Sequence, residues 1–467
     1  MMHTERQSRR NTGGYGMWKK QWTVMTTVML AAGALAACGS DSDEKKPGAT
    51  GSGDGAKPNV TVRFHAQNAT FDKTMMAPVI AKFEEKNPGV KIDFVGMTEP
   101  TSDEVTKKID LLAASGEPLD VILLADARSY SQRAANGMLE PLDKFIQKEG
   151  FKFEDEYKTD TKWNGSYYAL PGTFNQWFVI MNKNHLDEAG LKVPTVEWTW
   201  DDYLDYAKKL TKGEGASKRY GTYYHSWADY FLLGMWNQPG KNDIVWTDGS
   251  LNMDHPGVRK SLEIRQRSEI ADKSAIPYAD ALSQKIAYRP IYFNQSVSMM
   301  AIGSWMIGEV GGTDQFPATF KTVFAPMPRN SQSDPAGHAM SSSNYLAIAS
   351  TSKQKEAAYQ FLRFFSTEGL TMMQKYTTSW KKEDTSKLLD AIIGATKTPQ
   401  NVDKESLLYV LNNTKPVTLP PALPYQAEVY KLYQEEAEKM LLGQQDIAAS
   451  IAGAKTKLQK LVDSNKK

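Results

Sequence analysis

Val60-Thr61-Val62-Arg63-Phe64, Val90-Lys91-Ile92-Asp93-Phe94-Val95 and Val121-Ile122-Leu123-Leu124 are three short runs rich in β-branched residues, separated by stretches of helical periodicity. In the first separating stretch Met75, Val79, Ile80 and Phe83 fall at helical spacing before Asn87-Pro88-Gly89 stops the helix. In the second, Thr101 and Glu104 form a capping box, Val105, Ile109 and Leu112 share one face, and Gly116 and Pro118 end it. The order β-α-β-α-β predicts a parallel sheet, and such sheets bind ligands beyond the carboxyl ends of their strands. That edge carries His65, Gln67 and Asn68 after the first strand, and Asp126 and Arg128 after the third. Asp126 has two readings, a ligand contact or a cap for the helix from Ser129 onward; His65 reads as structural.

Downstream, Trp163 to Pro171 predicts a hairpin turn and an extended segment that changes course at Pro171-Gly172, a crossover to a second lobe. Phe178-Val179-Ile180-Met181 reads as a strand, Gly190 closes a short helix, and Thr199 with Asp202 caps a helix carrying Tyr203, Tyr206 and Leu210 inward. Tyr220 to Tyr224 is expected to be a strand that delivers His225, Ser226 and Trp227 to a loop. After a helical middle, the strand Val297 to Ile302 runs into Gly303-Ser304-Trp305. Tyr345-Leu346-Ala347-Ile348 and a helix from Lys353 to Phe365, with Ala357, Phe361, Leu362 and Phe365 inward, read as a return to the first lobe. The C-terminal region is helical by pattern, interrupted at Pro416, Pro420, Pro421 and Pro424.

Upstream, residues 39–58 are Gly, Ser, Asp, Lys and Pro with almost no apolar side chain, a composition that cannot repay its ordering entropy and reads as a flexible tether. Before it, Lys19 and Lys20 lead an apolar stretch from Trp22 to Ala34 that is too short and too polar to span a bilayer and has the layout of an export signal. Met17 opens a signal of more usual proportions. Leu35-Ala36-Ala37-Cys38 resembles the bacterial lipobox, which implies cleavage before Cys38 and a lipid on its sulfur, hence an extracytoplasmic, membrane-anchored protein.

The composition excludes several classes. Lys and Arg number 56 against 54 Asp and Glu, so the excess positive charge of a nucleic-acid binder is missing. Cys38 is the single cysteine of 467 residues, which rules out a disulfide framework and thiolate zinc sites in the mature fold. A hydrophobic fraction of 41% supports a substantial core, and the length favours two domains. Asp248 to Asp254 alternates oxygen ligands but lacks the glycine and closing glutamate of an EF-hand, and reads as a turn. There is neither a Walker-type glycine loop nor a Gly-x-Ser-x-Gly elbow. No cofactor or metal is expected.

Several blocks together resemble the extracellular solute-binding proteins of sugar ABC transporters, the family that includes maltose-binding protein. They are Ile80 to Glu84 with Pro88 to Ile92, Gly116 to Val121, Tyr168-Ala169-Leu170-Pro171, Met181-Asn182-Lys183, Gly190 to Pro194 with Trp200, Met300 to Trp305, and Glu356 to Ser366. The resemblance implies an α/β fold of the two-lobed type II periplasmic-binding class, with discontinuous lobes joined by hinge crossovers and a sugar held between them. The expected division is a signal peptide at 1–37, the tether at 38–58, a first lobe at 59–171 and 326–375, and a second at 172–325 and 376–467.

Carried onto this sequence, the family's ligand contacts fall on Gln67 and Asn68, on Thr173 and Phe174, and on Ser304 and Trp305. The sheet-edge reading adds Asp126 and Trp227, and Trp380 stands at a further lobe crossing. An indole face suits the C–H face of a pyranose, while carboxylate and amide groups take its hydroxyls. Each tryptophan is alternatively a core residue. The implied function is capture of a sugar or oligosaccharide for a membrane permease by a monomer without enzymatic activity. A surface glycoside hydrolase or lyase, and a sugar-sensing subunit for a receptor kinase, are alternatives, and oligopeptide or polyamine binding stays open.

Overall fold

The computed structural model describes residues 60–466 apart from positions 100, 241, 420 and 421, so the export segment, Cys38 and the tether lie outside the described residues. Ala56–Lys467 forms one compact unit. Its strands are β1 (Val60–Gln67), β2 (Val90–Met97), β3 (Val121–Leu124), the short pair β4 (Lys162–Trp163) and β5 (Ser166–Tyr167), β6 (Ala169–Asn182), β7 (Met299–Gly303), β8 (Thr322–Ala325), β9 (His338–Ile348) and β10 (Lys415–Thr418). Except for the β4–β5 hairpin, they join one sheet ordered β2-β1-β3-β9-β6-β7, with β10 beside β9 and β8 beside β6.

The first lobe follows the predicted β-α-β-α-β order. β1 pairs in parallel with β2 and β3, and β9 closes against β3 in the antiparallel sense. The two helices are Lys73–Lys86, capped by Asp72, and Ser102–Ala114, with the Thr101–Glu104 capping box formed. Met76, Val79 and Phe83 make the buried stripe of the first helix, one position removed from the expected Met75. One face of the sheet packs Phe64 edge-on against Phe94, Phe361 and Phe365, at centroid distances of 5.7, 5.4 and 5.3 Å. The other face buries Ile122, Leu124, Tyr130 and Tyr345. Each buried phenyl ring contributes roughly 1.5–3 kcal/mol, so this double layer fixes the strand ends that face the second lobe.

The second lobe has two cores divided by β6. Trp177, Val179 and Met181 enter one core and Phe178 and Ile180 the other, as a strand's period of two requires when both faces are covered. The helix Trp200–Leu210, with its Thr199–Asp202 capping box, supplies Trp200, Tyr203 and Leu204 to the first of these cores. Helices Gln426–Leu441 and Ile447–Asn465 complete the same layer.

Two strands run through both lobes. The segment expected to break at Pro171-Gly172 is instead one fourteen-residue strand, β6, that pairs with β9 over Ala169–Gln176 and with β7 and β8 over Trp177–Asn182. The change of course survives as a register shift between Pro171 and Phe174. β9 is likewise longer than the expected Tyr345–Ile348 and starts at His338. Met327, Ala339 and Met340 belong to the second lobe's core, and Tyr345, Leu346 and Ile348 to those of the first. A third crossing follows Tyr376, where Thr378 bridges to Thr173 and the Ser379 amide donates to the Gly172 carbonyl at 2.9 Å.

The expected strand at Tyr220–Tyr224 is not formed. Tyr220 and Thr222 each make one isolated bridge, to Val297 and Ala275. Gly221 lies so close to the helix Trp200–Leu210 that an added Cβ would stand 1.8 Å from the Ala207 carbonyl, and the backbone bonds of the segment are split between two neighbours, the Tyr220 carbonyl accepting the Ser298 amide at 3.0 Å and the Thr222 amide donating to the Ser274 carbonyl at 3.1 Å. At Asp248–Asp254 the chain makes a turn, with Val245 bridged to Leu251 and Gly249 at a φ of 77°.

Candidate functional site

Aromatic rings from four separate stretches of the second lobe converge where the lobes meet. Trp305 stands edge-on to Trp177 at 5.8 Å and to Trp227 at 6.1 Å between centroids. Trp227 in turn meets Tyr230 at 6.2 Å, Tyr288 at 5.6 Å and His225 at 4.7 Å. Trp305 is half-buried and packs on both second-lobe cores and on the core around Phe64, so it is a shared surface of the two lobes. The bend after β7 explains its position: the indole folds back over Gly303, where a Cβ would lie 1.9 Å from Cζ3. Only glycine leaves that space.

Charged pairs flank the rings. On the first-lobe side Asp126 caps the helix Ala127–Ala135, its Oδ1 accepting the Ser129 amide at 2.8 Å, while Oδ2 accepts Arg128 Nη2 at 2.7 Å. Burial raises the Asp126 carboxyl, but Arg128 and the Ser129 amide outweigh it and hold the group below its ordinary range. Arg128 reaches the second lobe, with its guanidinium 5.3 Å from the Tyr430 ring centroid. There Tyr430 donates its hydroxyl proton to Asp243 at 2.5 Å, and Gln426 donates to the same oxygen at 3.1 Å. Burial pushes Asp243 up to about 6 against those hydrogen bonds. Asp229 is also raised by burial, with Arg128 offsetting part of the effect. On the other flank Arg289 binds Glu309 through two contacts of 2.5 and 2.7 Å and lies 4.7 Å from the Tyr288 ring centroid.

Trp227 and Trp305 therefore come together, as the strand-exit argument and the Gly-x-Trp block respectively suggested. Ser304, Thr173 and Phe174 are near them but serve the crossing. Ser304 Oγ accepts the Gln176 amide at 3.2 Å, the Thr173 amide donates to Asn344 Oδ1 at 2.9 Å, and the Phe174 amide donates to the Thr377 carbonyl at 2.9 Å. Gln67 and Asn68 stand at the exit of β1, with Gln67 Oε1 accepting from Ser102 Oγ at 3.1 Å. Asp126 acts as the cap. Trp380 donates its indole proton to Glu156 at 2.8 Å, within an ion-pair group that also holds Arg363 and Lys382.

Sequence reasoning passed over Trp177, Tyr230 and Tyr288. Trp177 immediately precedes the run read as a strand, and the alternation along β6 places it on the side of Val179 and Met181, a signal the sequence does carry. Nothing local marks Tyr288. Below the rings Trp177, Asp229, Leu233, Trp236, Asn237 and Met340 surround a gap too narrow to admit a water molecule. A hydrophobic wall of rings with carboxylates and guanidinium groups at its rim can hold the apolar face of a polyhydroxylated molecule and hydrogen-bond its edge.

Residues 66–372, more than half the chain, match the model of the family described as bacterial extracellular solute-binding protein. Among curated proteins, the chain is similar to the multiple sugar-binding protein of Streptococcus mutans, at 24% identity over 378 residues, covering 77% of this chain and 81% of that protein. It is also similar to the sn-glycerol-3-phosphate-binding periplasmic protein UgpB of Rhizobium meliloti, at 24% identity over 41% of this chain and 46% of that one. Among solved structures, an ABC substrate-binding protein from Listeria monocytogenes in complex with cycloalternan superposes with a TM-score of 0.72 at 20% identity, covering 87% of this chain and 99% of that one. The GacH receptor of Streptomyces glaucescens, solved unliganded and with acarbose, gives 0.69 at 19% identity, covering 88% and 100%. UgpB from Mycobacterium tuberculosis in complex with glycerophosphocholine gives 0.68 at 17% identity, covering 88% and 99%. The fold is that of the type II periplasmic sugar-binding proteins.

Proposed function

The chain belongs to the bacterial extracellular solute-binding protein family, and on that premise we propose that it captures a sugar or oligosaccharide outside the cytoplasm and presents it to the permease of an ABC transporter. The observation that carries the choice of ligand is the convergence of Trp177, Trp227, Tyr288 and Trp305 between the lobes. Relatives named for glycerol phosphate make an anionic ligand the competing choice. The two guanidinium groups at the rim argue against it, because Arg128 is paired with Asp126 and Arg289 with Glu309. A neutral polyol needs no further cation, whereas a phosphate would meet guanidinium groups whose charge a carboxylate already offsets.

The three crossings act as the hinge. We place the return crossing at residues 341–345 rather than at 326, because Met327, Ala339 and Met340 pack in the second lobe. Hinge closure around a ligand is the motion known for periplasmic binding proteins, and a sugar touching both lobes favours the closed form by its differential affinity. The space below the rings is narrow, so the lobes separate to admit the ligand. Lipid on Cys38 and the tether at 38–58 keep the receptor near its permease, and the protein binds without turnover as a monomer.

Calorimetry of the Ala56–Lys467 unit against maltotriose, cycloalternan, acarbose, tagatose and glycerophosphocholine tests the reading. Saturable, reversible binding of a carbohydrate without product is the expected result. Preference for the phosphodiester, silence across the carbohydrates, or release of cleaved sugar would each reject it. Replacing Cys38 by Ser in cells should release the protein from the membrane fraction; retention would reject the anchor.

A further inference from the structure

Tyr223 has one hydroxyl proton and two close polar neighbours: its oxygen lies 2.9 Å from the Ile286 carbonyl oxygen and 2.8 Å from His225 Nδ1. A carbonyl can only accept, so the phenolic proton goes to Ile286. The second contact must then run the other way, with Nδ1–H of His225 donating to the Tyr223 oxygen. A neutral imidazole carries a single N–H, so Nε2 is left as a lone-pair acceptor. Burial lowers His225 to about 4, which keeps the ring neutral near pH 7.

The ring is held in place. It stands edge-on to Trp227 at 4.7 Å and 77°, and to Tyr288 at 5.6 Å and 73°, two members of the aromatic wall between the lobes. Nε2 has no partner among the described residues, nor is it one of the polar atoms sealed from solvent. We propose that His225 is a specificity-determining residue whose Nε2 accepts a hydroxyl proton from the bound ligand, with Tyr223 as the positioning residue that fixes the tautomer. The proposal rests on the sugar-binding reading and deepens it. An ether, an acetal oxygen or an ionised phosphate oxygen would oppose one lone pair to another at this point, so the site demands a free hydroxyl there, and alkylated or deoxygenated sugars are rejected.

Two measurements test it on the full chain. With six histidines in the sequence, long-range proton–nitrogen spectra of the labelled protein resolve the tautomer directly. The expected result is a protonated Nδ1 and a bare Nε2 for His225 at pH 7, with the Nε2 resonance shifting on saturation by a sugar that the calorimetric panel identifies. A proton on Nε2 in the free protein, or an Nε2 resonance unmoved by saturating sugar, overturns the proposal. In parallel, His225→Phe keeps the ring packing and should weaken that sugar about tenfold, and one mono-deoxy analogue should lose affinity for the wild type but not for H225F. Equal affinities of wild type and H225F for the parent sugar overturn the assignment and leave the sugar-binding reading intact. Failure of the wild type to bind any carbohydrate overturns that reading and takes this assignment with it.

Discussion

The guanidinium of Arg128 lies 5.3 Å from the ring centroid of Tyr430, so a cation–π contact ties a helix of the first lobe to a helix of the second. Asp126 holds the cation from behind and Asp243 holds the phenol, which leaves both partners fixed by their own lobes. Such a contact contributes about 0.5–2 kcal/mol, enough to shift an equilibrium between open and closed forms severalfold. Arg128→Ala should therefore enlarge the sugar-free protein in small-angle scattering, while Tyr430→Phe, which keeps the ring face, should enlarge it less. Identical scattering for R128A and wild type would show that the contact does not bias closure.

Trp305 and Gly303 provide a matched pair of substitutions. Trp305→Ala deletes the shared wall and should cost roughly 2 kcal/mol of sugar affinity, about thirtyfold. Gly303→Ala leaves the indole in the sequence but denies it the space over the strand end, since the new methyl would fall 1.9 Å from Cζ3. Both should lose binding by calorimetry while circular dichroism stays native. Wild-type affinity in G303A would mean that the indole's placement does not matter.

At the first crossing, a Cβ on residue 172 would stand 2.3 Å from Asn344 Oδ1, the atom that accepts the buried Thr173 amide. Gly172→Ala should displace Asn344, strand that amide, and cost about 1–3 kcal/mol. Urea denaturation is the measurement, and an unchanged midpoint would contradict the geometry.

Asp243 gives the pH dependence. Its carboxyl is raised by burial from 3.8 to about 6, so between those values the native state holds a proton that the unfolded state has released. Stability then falls as pH rises from about 4 through about 6, by roughly 2–3 kcal/mol for this group. Asp243→Asn keeps an acceptor for Tyr430 and should flatten that part of the stability curve relative to wild type. Parallel wild-type and D243N curves between pH 4 and 7 would refute the shift.

What the sequence made legible was local. Short runs rich in β-branched residues gave the first three strands, and the Thr101–Glu104 and Thr199–Asp202 boxes gave helix starts that formed where expected. The missed lengths of β6 and β9 share one cause. Ser341-Ser342-Ser343-Asn344 has the composition of a loop, yet it lies against β6, which spans Ala169–Asn182. Its hydroxyls are absorbed across the chain, Ser343 by Thr159 at 2.7 Å and Ser341 by the Val417 carbonyl at 3.3 Å. Pairing partners more than 150 residues away override propensity, and no window of sequence contains them.

The site divides the same way. Gly303-Ser304-Trp305 announced its tryptophan, but not that the glycine exists to let the ring fold back. Trp227 was reached from a strand that does not form, because the loop it sits on is placed by packing rather than by a ladder. Tyr288 belongs to the wall only through contacts with a distant stretch, Tyr230 meets Trp177 as well as its near neighbour Trp227, and Trp380 donates to Glu156, a partner 224 residues earlier.

A strand that belongs to both halves also governs how the molecule assembles. Neither half can finish its hydrogen-bond ladder until β9, some 160 residues after the middle of β6, has returned to sit beside it. The two halves should thus melt in a single calorimetric transition rather than one after the other, and refold slowly, as chains dominated by distant pairings do. On the proposed reading, in which the chain crosses a membrane before it folds, such a delay would keep the ladder open during passage.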